Sequence, residues 1–368
     1  MENPKNKQVK AEFLASYEST VITDQSDIKD PVPFVTVNGS TFASLGDIAF
    51  ISGVPKSGKS SITGFILATA LMKHKPADLD SLGIISNYQG ERPIIYIDTE
   101  QHPAHTRKRL KTVLKVAGIE HQNTSLFRVM NWRSMPQPQK LEHLMHALET
   151  HPTACLWVID GITDFVASAN DEQAGNVLVG HLMQKSSENN AAIILLIHEN
   201  GNNGKLRGHI GSEAERKCGG AISVKKDRDK GVHFIEPKYL RDAEDFAPVV
   251  FKWSNDLGRM VSVDASTARA AIQEQKDKSK EAQLSQLYEK CIGVDKSLLR
   301  TEFRKRIEHE LDPNKQSTPQ AREQKANRNI EAMKGYYIKL NGTGKTQTVE
   351  PFLIIDNPTP YQDAPTLF

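Results

Sequence analysis

Gly53-Val54-Pro55-Lys56-Ser57-Gly58-Lys59-Ser60 decides how this chain folds. It fills every position of the pattern G-x-x-x-x-G-K-[ST], a strand-to-helix turn whose backbone N–H groups cradle phosphate. The flanks are those the pattern needs. Ile48-Ala49-Phe50-Ile51 is a short apolar run that reads as a buried strand, and Ser61-Ile62-Thr63-Gly64-Phe65-Ile66-Leu67 continues as a helix. Gly53 and Gly58 permit the tight turn, and the helix beginning near Lys59 directs its positive end at the same place.

The expected nucleotide contacts are therefore Gly53, Val54, Pro55, Lys56, Ser57, Gly58, Lys59, Ser60 and Ser61. Lys59 is expected on the β- and γ-phosphates of ATP, and the Ser60 hydroxyl on Mg²⁺. A glycine turn that binds nothing is the alternative, and the flanking strand and helix weigh against it.

Downstream, Pro93-Ile94-Ile95-Tyr96-Ile97-Asp98-Thr99-Glu100 is an apolar run ending in carboxylates. In an open parallel sheet the strand C-termini face the ligand crevice, which puts Glu100 beside the nucleotide. Cys155-Leu156-Trp157-Val158-Ile159-Asp160-Gly161 is a second buried strand ending in an acid, so Asp160 is the expected Mg²⁺-holding carboxylate. Ala191-Ala192-Ile193-Ile194-Leu195-Leu196-Ile197 is a third, ending at His198, which is expected to sense phosphate at the same sheet edge.

Helical patterns separate these strands. Residues 103–117 carry Arg107, Lys108, Arg109, Lys111 and Lys115, a basic run that reads as a solvated helix face. Residues 138–150 repeat Leu141, Leu144, Met145 and Leu148 at core spacing, and residues 76–90 read as loop. Residues 199–211 read as a Gly- and Asn-rich loop carrying Lys205 and Arg207, cations suited to nucleic-acid phosphates or to an arginine finger. Short strands at 221–224, 232–235, 249–253 and 260–263 complete the sheet. Ahead of the loop, Phe34-Val35-Thr36-Val37, Asn38-Gly39 and Thr41-Phe42-Ala43 read as a hairpin, preceded by a polar arm over residues 1–30.

With these motifs in order, residues 33–263 resemble the core of RecA-fold ATPases, and most closely the RepA-like hexameric helicases with their DnaB- and KaiC-type relatives. The fold implied is α/β: a RecA-like P-loop NTPase core with a mainly parallel sheet, over residues 31–263. The resemblance makes Glu100 the group that polarises the attacking water, Asp160 the Walker B acid and His198 the γ-phosphate coupler. It also makes residues 200–208 the DNA-binding loop, with Lys205 on DNA. Arg207-Gly208 matches the finger pair of the RepA-like subgroup. DnaB-like members place a basic pair after the next strand instead, near Lys225, Lys226 and Arg228. A homo-oligomer, expected to be a hexamer, follows from the resemblance.

Residues 264–283 read as a linker rich in Ala, Gln, Lys and Glu. Beyond it, Leu284, Leu287, Tyr288 and Ile292 form one stripe, Leu299, Phe303 and Ile307 another, and Thr318-Pro319 opens a third helix with Ala326, Ile330 and Met333 inward. A hairpin over 336–349 follows. Three helices and a hairpin look like a small winged-helix domain over 284–350, ahead of a tail at 351–368. Between residues 315 and 345 seven basic residues face two acids. Arg322, Lys325 and Arg328 share the expected outer face of the third helix, suited to duplex DNA or to a protein partner.

The chain has 368 residues, enough for two or three domains, and 47 Lys and Arg against 45 Asp and Glu. That balance argues neither for nor against nucleic acid, so any basic surface is local. Cys155, Cys218 and Cys291 lack metal-ligand spacing and read as reduced thiols of a cytoplasmic protein. No signal-like or membrane-spanning apolar run is present.

Two readings follow. One is an ATP-hydrolysing motor, a replicative helicase on single-stranded DNA such as a mobile element uses. The other is an ATP-switched DNA-binding protein that unwinds nothing. A small-molecule NTP-dependent enzyme is a third class, and the sequence holds no second-substrate motif for it.

Overall fold

Alternating apolar runs and amphipathic stretches produce a layered α/β unit. The computed structural model describes residues 17–18, 20–120, 125–199, 206, 208–292 and 297–351. The chain forms two compact units, Met1–Val263 and Asp264–Phe368.

In the first unit, β1 (Pro33–Val37) and β2 (Ser40–Ser44) form the expected antiparallel hairpin, turned at Asn38 and Gly39, both at positive φ. Then come β3 (Ile48–Gly53) and α1 (Lys59–Leu71). The stretch read as loop at 76–90 contains β4 (Ile84–Ser86), which pairs antiparallel with β1. Three residues are too few to show a period, so only pairing reveals this strand.

The chain continues through β5 (Ile94–Asp98), α2 (Pro103–Val116), β6 (Phe127–Asn131), α3 (Gln137–Thr150), β7 (Leu156–Asp160), α4 (Glu172–Glu188) and β8 (Ala192–His198). Next are α5 (Gly208–Lys217) and the strands β9 (Gly220–Asp227), β10 (Val232–Leu240), β11 (Val249–Ser254) and β12 (Arg259–Ser262). α5 begins inside the stretch read as a loop. Its two glycines mask the helical pattern, while Ile210 and Ala214, one turn apart, are buried. α4 admits it at Gly175, where a Cβ would lie 3.2 Å from the Ile210 Cα.

The main sheet has the order β12-β11-β10-β9-β3-β8-β7-β5-β6. Pairings from β9 to β6 are parallel, and those from β9 to β12 antiparallel. The α/β, mainly parallel, P-loop fold expected from the sequence is the fold observed.

Strand period two splits each apolar run between the two faces. Ala49, Ile51, Tyr96 and Ile194 join the α1 side with Ile62 and Ile66, while Phe50, Ile95, Ile97 and Ile193 join Leu144, Leu178 and Leu182 on the other. Both faces are covered, as continuous apolar strands require. Each fully buried Ile or Phe contributes about 1.5–3 kcal/mol.

In the second unit α6 (Ala265–Ile292) is continuous, so the stretch read as a linker at 264–283 is helix. Its Ala, Gln, Lys and Glu are strong helix formers that lack an apolar stripe, and among residues 265–283 only Ala271 is buried. Then follow β13 (Leu298–Leu299), α7 (Arg300–Leu311), α8 (Pro319–Met333), β14 (Ile338–Asn341) and β15 (Thr348–Pro351). Thr318 caps α8 by accepting from the Ala321 N–H. The strands pair antiparallel in the order β13-β15-β14. Leu287, Phe303, Ile307, Ala326, Ile330, Met333, Ile338 and Val349 form this unit's own core.

No helix among the described residues is long and apolar enough to cross a membrane. All three cysteines are buried and free.

Candidate active site

Strand register assembles the site. β3 and β8 set Gly53 beside His198, and β5 and β7 set Asp98 beside Asp160. Four parallel strands thus deliver the phosphate loop and the acidic and imidazole groups to one edge.

Gly53 has φ +151°, and a Cβ there would sit 2.4 Å from the Val224 carbonyl oxygen, so only glycine fits. Gly58 has φ +111° and precedes α1 without offering a capping side chain. The first N–H groups of α1 are therefore available to an acceptor, and the loop backbone can close around it. That cradle fits a polyphosphate. Ser57 is buried, and its hydroxyl has no hydrogen-bond partner among the described residues. The loop is braced from behind by His233 on β10, whose Nδ1 donates to the Ser57 carbonyl at 2.6 Å while the ring stacks on Phe251. Burial lowers the His233 pKa, which keeps the ring neutral in this role.

Lys59 is 7% exposed, and its Nζ donates to the Gly53 carbonyl at 2.5 Å and the Val54 carbonyl at 3.2 Å. Burial lowers its pKa, and the charges of Asp160, Glu100 and Glu199 oppose that. Nζ also lies 3.3 Å from His198 Nδ1, while His198 Nε2 lies 3.1 and 3.2 Å from the two Glu100 carboxylate oxygens. An ammonium only donates, so Nδ1 accepts and the Nε2 proton goes to Glu100. Lys59, His198 and Glu100 form one hydrogen-bonded chain.

Asp160 is 6% exposed, and its Oδ2 accepts from Tyr96 Oη and from Arg109 Nη1, each at 2.9 Å. The guanidinium lies over the Tyr96 ring, 5.2 Å from its centre. Burial pushes the Asp160 carboxyl up to about 6, with Arg109 pulling down and Asp98 and Glu100 pushing up. Oδ1 has no partner among the described residues, and Ser60 is exposed at the first turn of α1. Those hard oxygen donors suit Mg²⁺, which takes few protein ligands beside phosphate and water. Among the described residues no cluster of three or more His, Cys, Asp or Glu forms a metal cage.

Asp98 is fully buried and acts as a brace. It accepts from the N–H groups of Glu100 and Gln101 and from Thr106 Oγ1, which fixes the turn that presents Glu100. Thr99 Oγ1 ties the same turn to the Asp160 carbonyl at 2.9 Å.

The structure thus brings together Lys59, Ser60, Glu100, Asp160 and His198. Lys205 and Arg207 lie outside the described residues. Lys225, Lys226 and Arg228 are exposed on the β9–β10 hairpin, with Lys225 paired to Glu236 at 2.6 Å. In the second unit Lys325 and Arg328 are exposed on α8. Arg322 does not share that free face. It is folded back onto the Ser317 carbonyl and lies 3.7 Å from Asp312, because it sits one turn from the helix start where those acceptors wait.

Sequence reasoning passed over Arg109, Glu199 and His233. Of the basic run on α2, Arg107, Lys108, Lys111 and Lys115 are exposed as expected, but the Arg109 side chain is 14% exposed. Its spacing from Thr106 and Val113, both buried, was the available signal. Glu199 accepts from Ser52 Oγ and Ser223 Oγ and pairs with Lys238 at 3.0 Å. Those partners are remote in sequence, so no local pattern marks it.

The model of the family described as AAA domain matches residues 18–204. Among curated proteins, none matches the chain.

Proposed function

The chain belongs to the AAA domain family and carries an ATPase domain of the P-loop type, and on that premise we propose that it is a ring-forming, DNA-dependent motor. In this reading it is a RepA-like replicative helicase on single-stranded DNA, cytoplasmic and hexameric, with ATP bound between protomers.

The observation that carries the reading is the chain Lys59–His198–Glu100. It links the side chain that meets the γ-phosphate, the carboxylate placed to orient water, and the last residue of β8. Residues 200–208, the proposed DNA loop, follow that strand in the sequence after Glu199, so loss of the γ-phosphate would alter hydrogen bonds at the strand end that precedes them.

In the proposed mechanism the loop N–H groups and Lys59 hold the triphosphate, and Glu100 accepts a proton from the attacking water. Ser60 and Asp160 Oδ1 would hold Mg²⁺, which would supply positive charge beside the phosphates. Arg207 of a neighbouring protomer is the proposed finger, so turnover depends on assembly.

The second unit favours a rival reading. Its three helices and three-stranded sheet have the make-up of a winged helix, and Lys325 and Arg328 stand exposed on α8. An ATP-switched protein that binds duplex DNA through this unit, or docks another protein there, needs no unwinding.

Steady-state ATP hydrolysis with single-stranded or duplex DNA, with Lys59→Ala as control, separates the two. Strong stimulation by single strands supports the motor. No stimulation together with tight duplex binding moves the assignment to the switch.

A further inference from the structure

A cavity of about 320 Å³ opens beside the phosphate loop, between α1, α2 and the β11–β12 hairpin. Its wall includes Ser60 and Ser61, so it is continuous with the turn that would hold the phosphates. The rest of the wall is mainly apolar and aromatic. Phe65 forms part of it with the Arg259 guanidinium 5.8 Å above its ring, and that guanidinium is held by the Asp80 carbonyl at 2.8 Å. Trp253 lines the cavity while 51% exposed. Its indole N–H is satisfied by Asn255 Oδ1 at 3.0 Å, so the surface it contributes to the wall is the apolar ring.

The cavity volume lies at the lower end of small-ligand sites, the size of one nucleoside rather than a larger cofactor. The wall offers the cations Lys108, Arg109 and Arg259 and the side chains of His105 and Thr112, and among the described residues no Asp, Glu, Asn or Gln. A base therefore finds stacking surface and cationic charge there, and no carboxylate or amide to read its hydrogen-bonding edge.

We infer that this cavity receives the base and ribose of the bound nucleotide, stacked on Trp253, and that it accepts adenine and guanine alike. The inference rests on the phosphate-loop reading and adds the nucleoside half of the ligand. Arg109 belongs both to this wall and to the bond with Asp160, so it also joins the nucleoside pocket to the metal-holding carboxylate.

The test uses the full-length chain with ADP, GDP and inorganic pyrophosphate, which avoids turnover. Trp132 and Trp157 are buried, so emission from Trp253 is the one that solvent and ligand reach. ADP and GDP are expected to quench it, and pyrophosphate to bind without quenching. Trp253→Ala is expected to weaken ADP about 5- to 100-fold, the usual loss when a base loses its aromatic platform, while pyrophosphate affinity stays unchanged. Trp253→Phe is expected to retain most of the ADP affinity.

A site that hydrogen-bonds a base edge discriminates by about 10⁴, whereas ADP and GDP are expected here within about tenfold. Equal ADP binding by wild type and Trp253→Ala overturns the pocket and leaves the phosphate-loop reading standing. Strong selection of one purine overturns its stacking character. If wild type binds neither ADP nor pyrophosphate, both readings fall. Should Trp253→Ala not fold, wild-type quenching by ADP and GDP but not by pyrophosphate still supports the pocket, and its absence on ADP binding overturns it.

Discussion

Replacing Arg109 by Met removes the guanidinium bonded to Asp160 while keeping an unbranched, uncharged stem in its place. The pair is 2.9 Å apart, with the two side chains 14% and 9% exposed. At an effective dielectric near 20 two charges so placed attract by about 6 kcal/mol, and the desolvation that Arg109 no longer suffers offsets part of this. Breaking a buried pair from one side typically nets about 3–5 kcal/mol. The loss depends on pH, because Asp160 escapes it by taking a proton.

The Asp160 pKa in the fold, about 6, lies above the ordinary 3.8, so the native state holds this proton more tightly than the unfolded chain. Stability from this group is therefore present at low pH and falls as pH rises from about 4 through 6, by about 3 kcal/mol in all. Without Arg109 the titration moves higher and the fall continues further. The variant is expected to lose about 3–5 kcal/mol at pH 8 and only about 1 kcal/mol at pH 5, where the contact with the Tyr96 ring is the main remaining loss. Guanidinium unfolding followed by tryptophan emission measures this cleanly, since Trp132, Trp157 and Trp253 all lie in the first unit. Equal losses at both pH values, or none at pH 8, would refute the reasoning.

Glu100→Gln is expected to bind ATP normally and to lower turnover about 10²- to 10⁴-fold, the usual contribution of a positioned base; turnover within a few-fold of wild type removes Glu100 from that role. His198→Ala is expected to keep ATP binding and lose the stimulation of hydrolysis by single-stranded DNA, so retained stimulation breaks the proposed coupling. Arg207→Ala is expected to abolish turnover with nucleotide binding largely intact, as unlabelled ATP titration against a fluorescent analogue would show. Gly53→Ala forces a Cβ to 2.4 Å from the Val224 carbonyl oxygen and is expected to abolish pyrophosphate binding, read by calorimetry.

The core strands were legible because each is buried on both faces, so runs such as 94–98, 156–160 and 192–198 stand out as nearly unbroken apolar segments. β4 was not, because its assignment depends on the register Val35↔Ser86 and not on any period of its own. The start of α6 was hidden for the opposite reason: a helix without an apolar stripe has the composition of a linker. Arg109 was hidden by averaging, since one inward cation among four outward ones leaves the run looking solvated.

By itself the sequence determined the phosphate loop, the order of strand-ending acids and the α/β, P-loop class, since these depend on local backbone demands and on burial period. Tertiary structure alone decided which of the site's groups touch. Sheet order brought β8 next to β3 and so His198 onto Lys59, although 139 positions separate the two residues. It also turned Arg109 onto Asp160, closed His233 behind the loop and placed Trp253 in the same cavity wall as Ser60 and Ser61. Such contacts join residues remote along the chain, and their energies depend on distance and dielectric, which no local pattern encodes.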